Sequence, residues 1–294
     1  MAINDRRLEV TEFDFDEVKT NLKTFLKAQN QFTDYDFEGS GMNILLDVLA
    51  YNTHYLGFNA NMLANEMFLD SSSLRSSIVS HAKTLGYTPT SARASKAVVD
   101  VTLNTNSSSL TMPAGTVFNT DVDGVSYNFS TITDVTKSNT GNSIPFTNID
   151  IYEGTFITTR YSVDSSDIDQ RFLLTDNRAD TTTLTVKVQT SSSDSTTTTY
   201  TKATDITQLT ASSNVYFLQE VEAGVFEIYF GDGIIGSALS DGNIIILTYV
   251  VSNKSLANGA ALFDNAATIA AVSDISVATV AAASAGSEPE SLQS

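Results

Sequence analysis

The chain of 294 residues has no cysteine and no tryptophan, four prolines and two histidines, His54 and His81. Without cysteine there are no disulfides and no thiolate metal sites. Two histidines cannot build a multi-histidine metal cage. Basic residues are scarce: 16 Lys and Arg stand against 34 Asp and Glu, for a net charge of −18. Such a chain repels phosphate backbones and anionic lipid surfaces, which argues against nucleic acid and membrane as partners. No apolar run reaches the ~20 residues that a membrane span needs. The first residues, MAINDRRLEVTEFDFDE, lack the apolar centre of a secretory leader. What remains is 41% hydrophobic and 17% charged, enough apolar material for a core and, at this length, for two domains.

The texture changes near residue 88. Before it the apolar period is helical. Phe15, Val18, Leu22, Phe25 and Leu26 share one face of a first helix over 12–29, with Asp14 and Asp16 at its positive end. Gly39-Ser40-Gly41 interrupts the pattern. A second helix is predicted from Asn43 to Leu69. There Ile44, Val48, Tyr51, Tyr55, Phe58 and Met62 follow alternating four-three spacing, the seam of a coiled coil or bundle. Leu45, Leu49, Leu56, Leu63 and Met67 form a second stripe beside it, which predicts burial on two sides. A small residue at Gly57 would let another helix approach. The third helix should be capped by Asp70 or a nearby serine and turn Leu74, Ile78, His81, Ala82 and Leu85 inward, with Gly86 at its end and Pro89 beyond. The seam reads either as the inside of a three-helix unit or as a zipper onto other chains.

From about Ser95 the period is two. KAVVDVTLN, VSYNFSTITDVT, IPFTNIDIYEGTFITTRYSV, RFLLTDN, TTLTVKVQT, a hairpin turning at Ala223-Gly224, and the doubly buried NIIILTYVVS read as strands of a sandwich or barrel-like domain. The fold class is therefore α+β, a helical bundle segment followed by a β-rich, mainly antiparallel sandwich-like domain. Three segments are predicted: 1–88, 89–256, and an alanine-rich 257–294 with weak strands. Ten of the twelve residues from Thr190 to Thr201 are Ser or Thr, which predicts a flexible hairpin loop.

Nothing in the chain spells out catalysis. Phe230-Gly231-Asp232-Gly233 lacks a Walker lysine and the alternating carboxylates of a calcium loop, so a tight turn is expected there, as at Asp241-Gly242 and Asp123-Gly124. No nucleophile elbow is present. Among 34 acids any chosen carboxylate pair is uninformative. No catalytic, cofactor or metal residue is assigned, and a non-enzymatic role is expected.

Four runs resemble a known family: SGMNILLDVLAYNTHYLGFNANMLANEMFLDSSSLRSSIVSHAKTLGYTP; PAGTVF followed by DGVSYNF; EIYFGDGIIGSALSDGNIIILTYVVSNKSLANGA; and SAGSEPESLQS. Together they are similar to the larger inner-ring wedge subunits of contractile-tailed phage baseplates, the baseplate J-like class. The resemblance implies a structural protein of the virion tail, assembled in the host cytoplasm and missing a C-terminal part. It implies partners among other wedge proteins, namely a second copy and a related larger subunit, joined through a helical bundle built on the seam. It further implies a share in the shape change that triggers sheath contraction. A β-rich receptor- or carbohydrate-binding tail protein is the alternative, and a tail-associated hydrolase a third.

Overall fold

A computed structural model describes residues 14–29, 38–167, 169–222, 224–265 and 268–291. The chain divides into two compact units, Met1–Tyr87 and Thr88–Ser294.

The first unit holds α1 (Phe15–Lys27), α2 (Gly41–Glu66) and α3 (Arg75–Thr84). Asp14 caps α1 by accepting from the Asp16 N–H at 2.9 Å. Ser40 does the same for α2, its Oγ taking the Asn43 N–H at 3.0 Å. The second helix thus starts two residues before, and ends three residues before, the span that its periodicity predicts.

The start of α3 differs from the prediction. Leu74 is the N-cap and contributes no side-chain bond. The cap comes instead from Glu66 at the end of α2. Its Oε1 accepts from the Ser73 N–H at 2.9 Å and the Ser73 hydroxyl at 2.7 Å, and the Leu74 N–H points at the same carboxylate. Hydrogen bonds from Ser77 and then Ser73 hold the Glu66 carboxyl at about 2. A carboxylate is the right group there, because the helix N-terminus carries unpaired N–H donors and partial positive charge. In return the His81 imidazole of α3 donates from Nε2 to the Glu66 carbonyl at 2.9 Å. The inner face is also displaced: Val79 and Ala82 are buried, whereas Leu74 and Leu85 are exposed. At the far end Gly86 (φ +76°) donates to the Lys83 carbonyl and Tyr87 to that of Ala82, the paired bonds of a left-handed helix stop.

The second unit contains β1 (Lys96–Asn104), β2 (Ser109–Met112), β3 (Val117–Val122), β4 (Val125–Ser130), β5 (Val135–Ser138), β6 (Ser143–Glu153), β7 (Thr155–Ser162), β8 (Phe172–Leu173), β9 (Ala179–Gln189), β10 (Thr197–Lys202), β11 (Val215–Glu222), β12 (Val225–Phe230), β13 (Ile244–Val251) and β14 (Ile275–Ser284). Five strands form one sheet in the order β14-β1-β6-β4-β3, and seven form another in the order β7-β13-β9-β10-β11-β12-β8. A small third sheet pairs β2 with β5. Every pairing is antiparallel except β10 with β11.

Each large sheet has its own core. In the first, β1 buries Ala97, Val99, Val101 and Leu103 at strict alternation, against Phe118, Phe129 and Phe146. Phe129 meets Phe263 edge-on at 4.9 Å between centroids. In the second, β13 lies between β7 and β9 and buries Ile245, Leu247, Tyr249, Val250 and Val251. Its two ends curl together: the β7 Tyr161 hydroxyl donates to the Leu173 carbonyl of β8 at 2.8 Å, and the Tyr161 ring stands edge-on to Phe172. The alanine-rich stretch supplies β14, antiparallel to β1 at the sheet edge.

The Ser/Thr-rich stretch is not a loop throughout. Thr197–Lys202 is strand β10, paired with β9, and the hairpin tip is confined to 190–196. Threonine is a good strand residue, and Tyr200 anchors this strand by burying its ring against Phe230. The turns at Asp123-Gly124 and Asp241-Gly242 form as predicted. Ala223, of the predicted turn at Ala223-Gly224, lies outside the described residues, although β11 and β12 pair on either side of it.

Two outcomes test this account. An NMR titration should place the Glu66 midpoint near pH 2. The capping contribution is then whole above the ordinary glutamate value of 4.5 and is lost as the pH falls from there to about 2. A midpoint above 4 would remove the cap. Phe129→Ala should cost the β unit about 3–5 kcal/mol, read as a lowered urea midpoint.

Candidate assembly interface

The helix α2 is 26 residues long, roughly 39 Å at 1.5 Å per residue. It packs on α1, and Lys19 of α1 pairs with Asp47. The side it buries is not the one with the largest residues. Buried positions are Asn43, Leu46, Ala50 and Gly57. Asn43, Ala50 and Gly57 are seven residues apart, so small or short side chains repeat along a single row, and such a row lets another segment come close. Seven-residue spacing of small residues was the available signal in the sequence. The larger apolar stripes conceal it.

Those stripes face outward. Ile44, Val48, Tyr51, Tyr55, Phe58 and Met62 are between 43% and 61% exposed. Leu45, Leu49, Leu56, Leu63 and Met67 are between 52% and 69% exposed. Both predicted stripes therefore share one broad surface of α2, and no described residue of the chain buries it. From Val48 to Asn65 the helix carries no Asp, Glu, Lys or Arg. A surface helix normally opposes one apolar stripe with a charged face. This one shows apolar residues where charge would stand, and contiguous exposed apolar surface of this kind marks interaction sites.

Within the surface the Tyr51 and Tyr55 rings lie 4.6 Å apart, tilted by 52°, and His54 meets Tyr55 edge-on. The hydrogen bond to Tyr55 pushes the Tyr51 phenol up. Towards the C-terminal end a groove of about 300 Å³ runs between Phe58 and Met62 on one side and Asn61, Asn65, Glu66, Ser71 and Ser73 on the other. Its lining is mostly apolar, with Asn61, Asn65, Glu66, Ser71 and Ser73 adding polar groups.

The polar candidates elsewhere are occupied locally. Asp232 accepts from the N–H groups of Ile234 and Ile235, and these bonds hold its carboxyl below the usual range. That is a turn, not a ligand site. His81 is bonded to the Glu66 carbonyl. Among the described residues no group of three or more His, Cys, Asp or Glu side chains could hold a metal. No helix among them is long and apolar enough to cross a membrane.

Residues 14–87 match the family model described as baseplate wedge protein gp6-like, helical domain. The chain is 30% identical over 283 residues to the baseplate wedge protein gp6 of Enterobacteria phage T4, an alignment covering 90% of the chain and 42% of that relative. It thus spans less than half the relative's length. A solved structure, the six-fold symmetrised baseplate of the anti-feeding prophage, aligns over 94% of this chain and 49% of its own at 14% identity and a TM-score of 0.26, a likeness too loose to carry a structural argument. Residues 14–87 thus match the gp6-like baseplate wedge helical domain, and the chain that carries them is similar to a baseplate wedge protein over part of that protein's length.

Proposed function

We propose that this chain is a structural, non-enzymatic subunit of a phage tail baseplate wedge and that α2 is the helix through which it joins its neighbours. The observation that carries the reading is the broad, charge-free apolar surface of α2, exposed on a helix that matches the wedge family. Its partners are other wedge proteins: a second copy of this chain and a related larger subunit, meeting in a helical bundle around the row from Ile44 to Met62. Fully burying a large apolar side chain is worth about 1.5–3 kcal/mol. Completing the burial of six half-exposed ones supplies several kcal/mol towards association. In the assembled virion the subunit scaffolds the baseplate and passes on the rearrangement that releases sheath contraction. Packed interfaces with two arrangements can do this without bond chemistry.

The glycan-binding alternative leans on the Ser/Thr-rich stretch. Much of that stretch is strand β10 rather than a loop, and the similarity to a baseplate wedge protein does not favour this alternative.

Tyr51→Asp combined with Tyr55→Asp places two charges in the middle of the seam. On co-expression with the neighbouring tail genes, the double variant should recover at least about tenfold less of its partners. The β unit should keep its wild-type unfolding transition. Normal recovery of partners would show that the bundle is built elsewhere.

A further inference from the structure

The seven-stranded sheet is an insertion in the five-stranded one. All seven of its strands come from residues 155–251, while the five-stranded sheet takes four strands before that segment and β14 after it. The chain therefore crosses between the sheets at Glu153-Gly154 and returns at Ser252-Asn253. The two crossings lie side by side. At Gly154 (φ +123°) a Cβ would stand 2.2 Å from the Val251 carbonyl oxygen, so only glycine fits there.

The crossings are tied by one carboxylate. Glu153 is fully buried, and its two oxygens accept from the Asn253 N–H and the Asn253 Nδ2, each at 2.8 Å. Its own N–H donates to the Ser95 carbonyl at 2.8 Å. Burial pushes the Glu153 carboxyl up, while the two Asn253 donors and nearby Arg178 hold it back. Ser95 belongs to a segment that binds both sheets. The Thr181 N–H donates to Ser91 Oγ at 3.0 Å, the Ala94 N–H donates to buried Asp180 at 2.8 Å, and Ser95 Oγ donates to the Lys254 carbonyl at 2.9 Å. The two cores share no residue. Hydrogen bonds thus tie the crossings, with the Phe156 ring of β7 beside Gly115 as an apolar contact, and bodies joined by a small junction move relative to each other unless something fixes them.

We propose that the seven-stranded sheet is an inserted body hinged at these two crossings, and that the Glu153–Asn253 clasp, with residues 91–95 as a strap, is the latch that fixes it on the five-stranded sheet. The latch is neutral in its requirements. A glutamine at 153 can keep both bonds if the Asn253 amide turns over, so that Oδ1 accepts where Nδ2 donated. Alanine at 153 removes both acceptors, so the clasp is lost and the Asn253 donors turn to solvent. This inference does not depend on the wedge assignment.

Hydrogen exchange with mass spectrometry on the full chain tests it. In Glu153→Ala, amides of 91–95 and 252–258 should exchange about tenfold faster or more, while β1 and β13 keep wild-type protection. Glu153→Gln should match wild type in all four segments. Should Glu153→Ala not accumulate as folded protein, Asn253→Ala reads the same clasp from its other side. Unchanged exchange at the junction would overturn the proposal. So would faster exchange in β1 and β13 to the same degree as at the junction, because the junction would then be part of one cooperative core.

Discussion

Burial of apolar surface drives folding, and in this chain the apolar surface of one helix exceeds what the described residues of its unit cover. The helix α2 buries Asn43, Leu46, Ala50 and Gly57, with Ala50 fully enclosed. Its tyrosines, Leu45, Leu49, Leu56, Leu63, Phe58 and Met62 remain exposed. A helix arranged in this way keeps apolar surface that further apolar contact would bury, in a chain of net charge −18. The cap that Glu66 places on α3, and the return bond from His81 to the Glu66 carbonyl, fix the end of that helix in a defined geometry. The exposed surface is therefore presented by a rigid element, which is what an assembly contact requires.

The β unit answers to a different constraint. Two sheets with separate cores are threaded by one chain, and the threading brings the crossing points together at a buried carboxylate. Aromatic rings close each core: Phe129 against Phe263 in one, Phe172 and Tyr200 around Phe230 in the other. The stability of the cores is apolar, while their mutual arrangement rests on hydrogen bonds, which are directional and individually modest.

Much of this was legible in the residues. The alternation in β1, the apolar run of β13 and the turn at Asp123-Gly124 are local signals, and they produce the elements they predict. The change of period near residue 88 lies beside the division between the two compact units. What escaped the sequence is non-local. The cap of α3 comes from Glu66, eight residues before Leu74, and neither Asp70 nor a nearby serine caps it. The pairing of β14 with β1 joins residues more than 170 positions apart, and no periodicity encodes it. The Ser/Thr-rich run looked too polar to order, yet a single buried ring, Tyr200, is enough to seat it beside β9. The seam of α2 was legible as a pattern but not in its direction. Its spacing fits the inside of a three-helix unit as well as a zipper onto other chains, and the side that α2 buries carries Asn43, Leu46, Ala50 and Gly57.

The central claim is that the exposed surface of α2 is covered by other chains in an assembled baseplate. Hydroxyl-radical footprinting measures that coverage directly, because tyrosine, phenylalanine and methionine side chains are labelled in proportion to their exposure. In the isolated chain Tyr51, Tyr55, Phe58 and Met62 should all be labelled, and in assembled baseplates all four should be protected, while exposed Tyr229 of the β unit serves as an internal comparison. Equal labelling of the four residues in the two states would contradict the account.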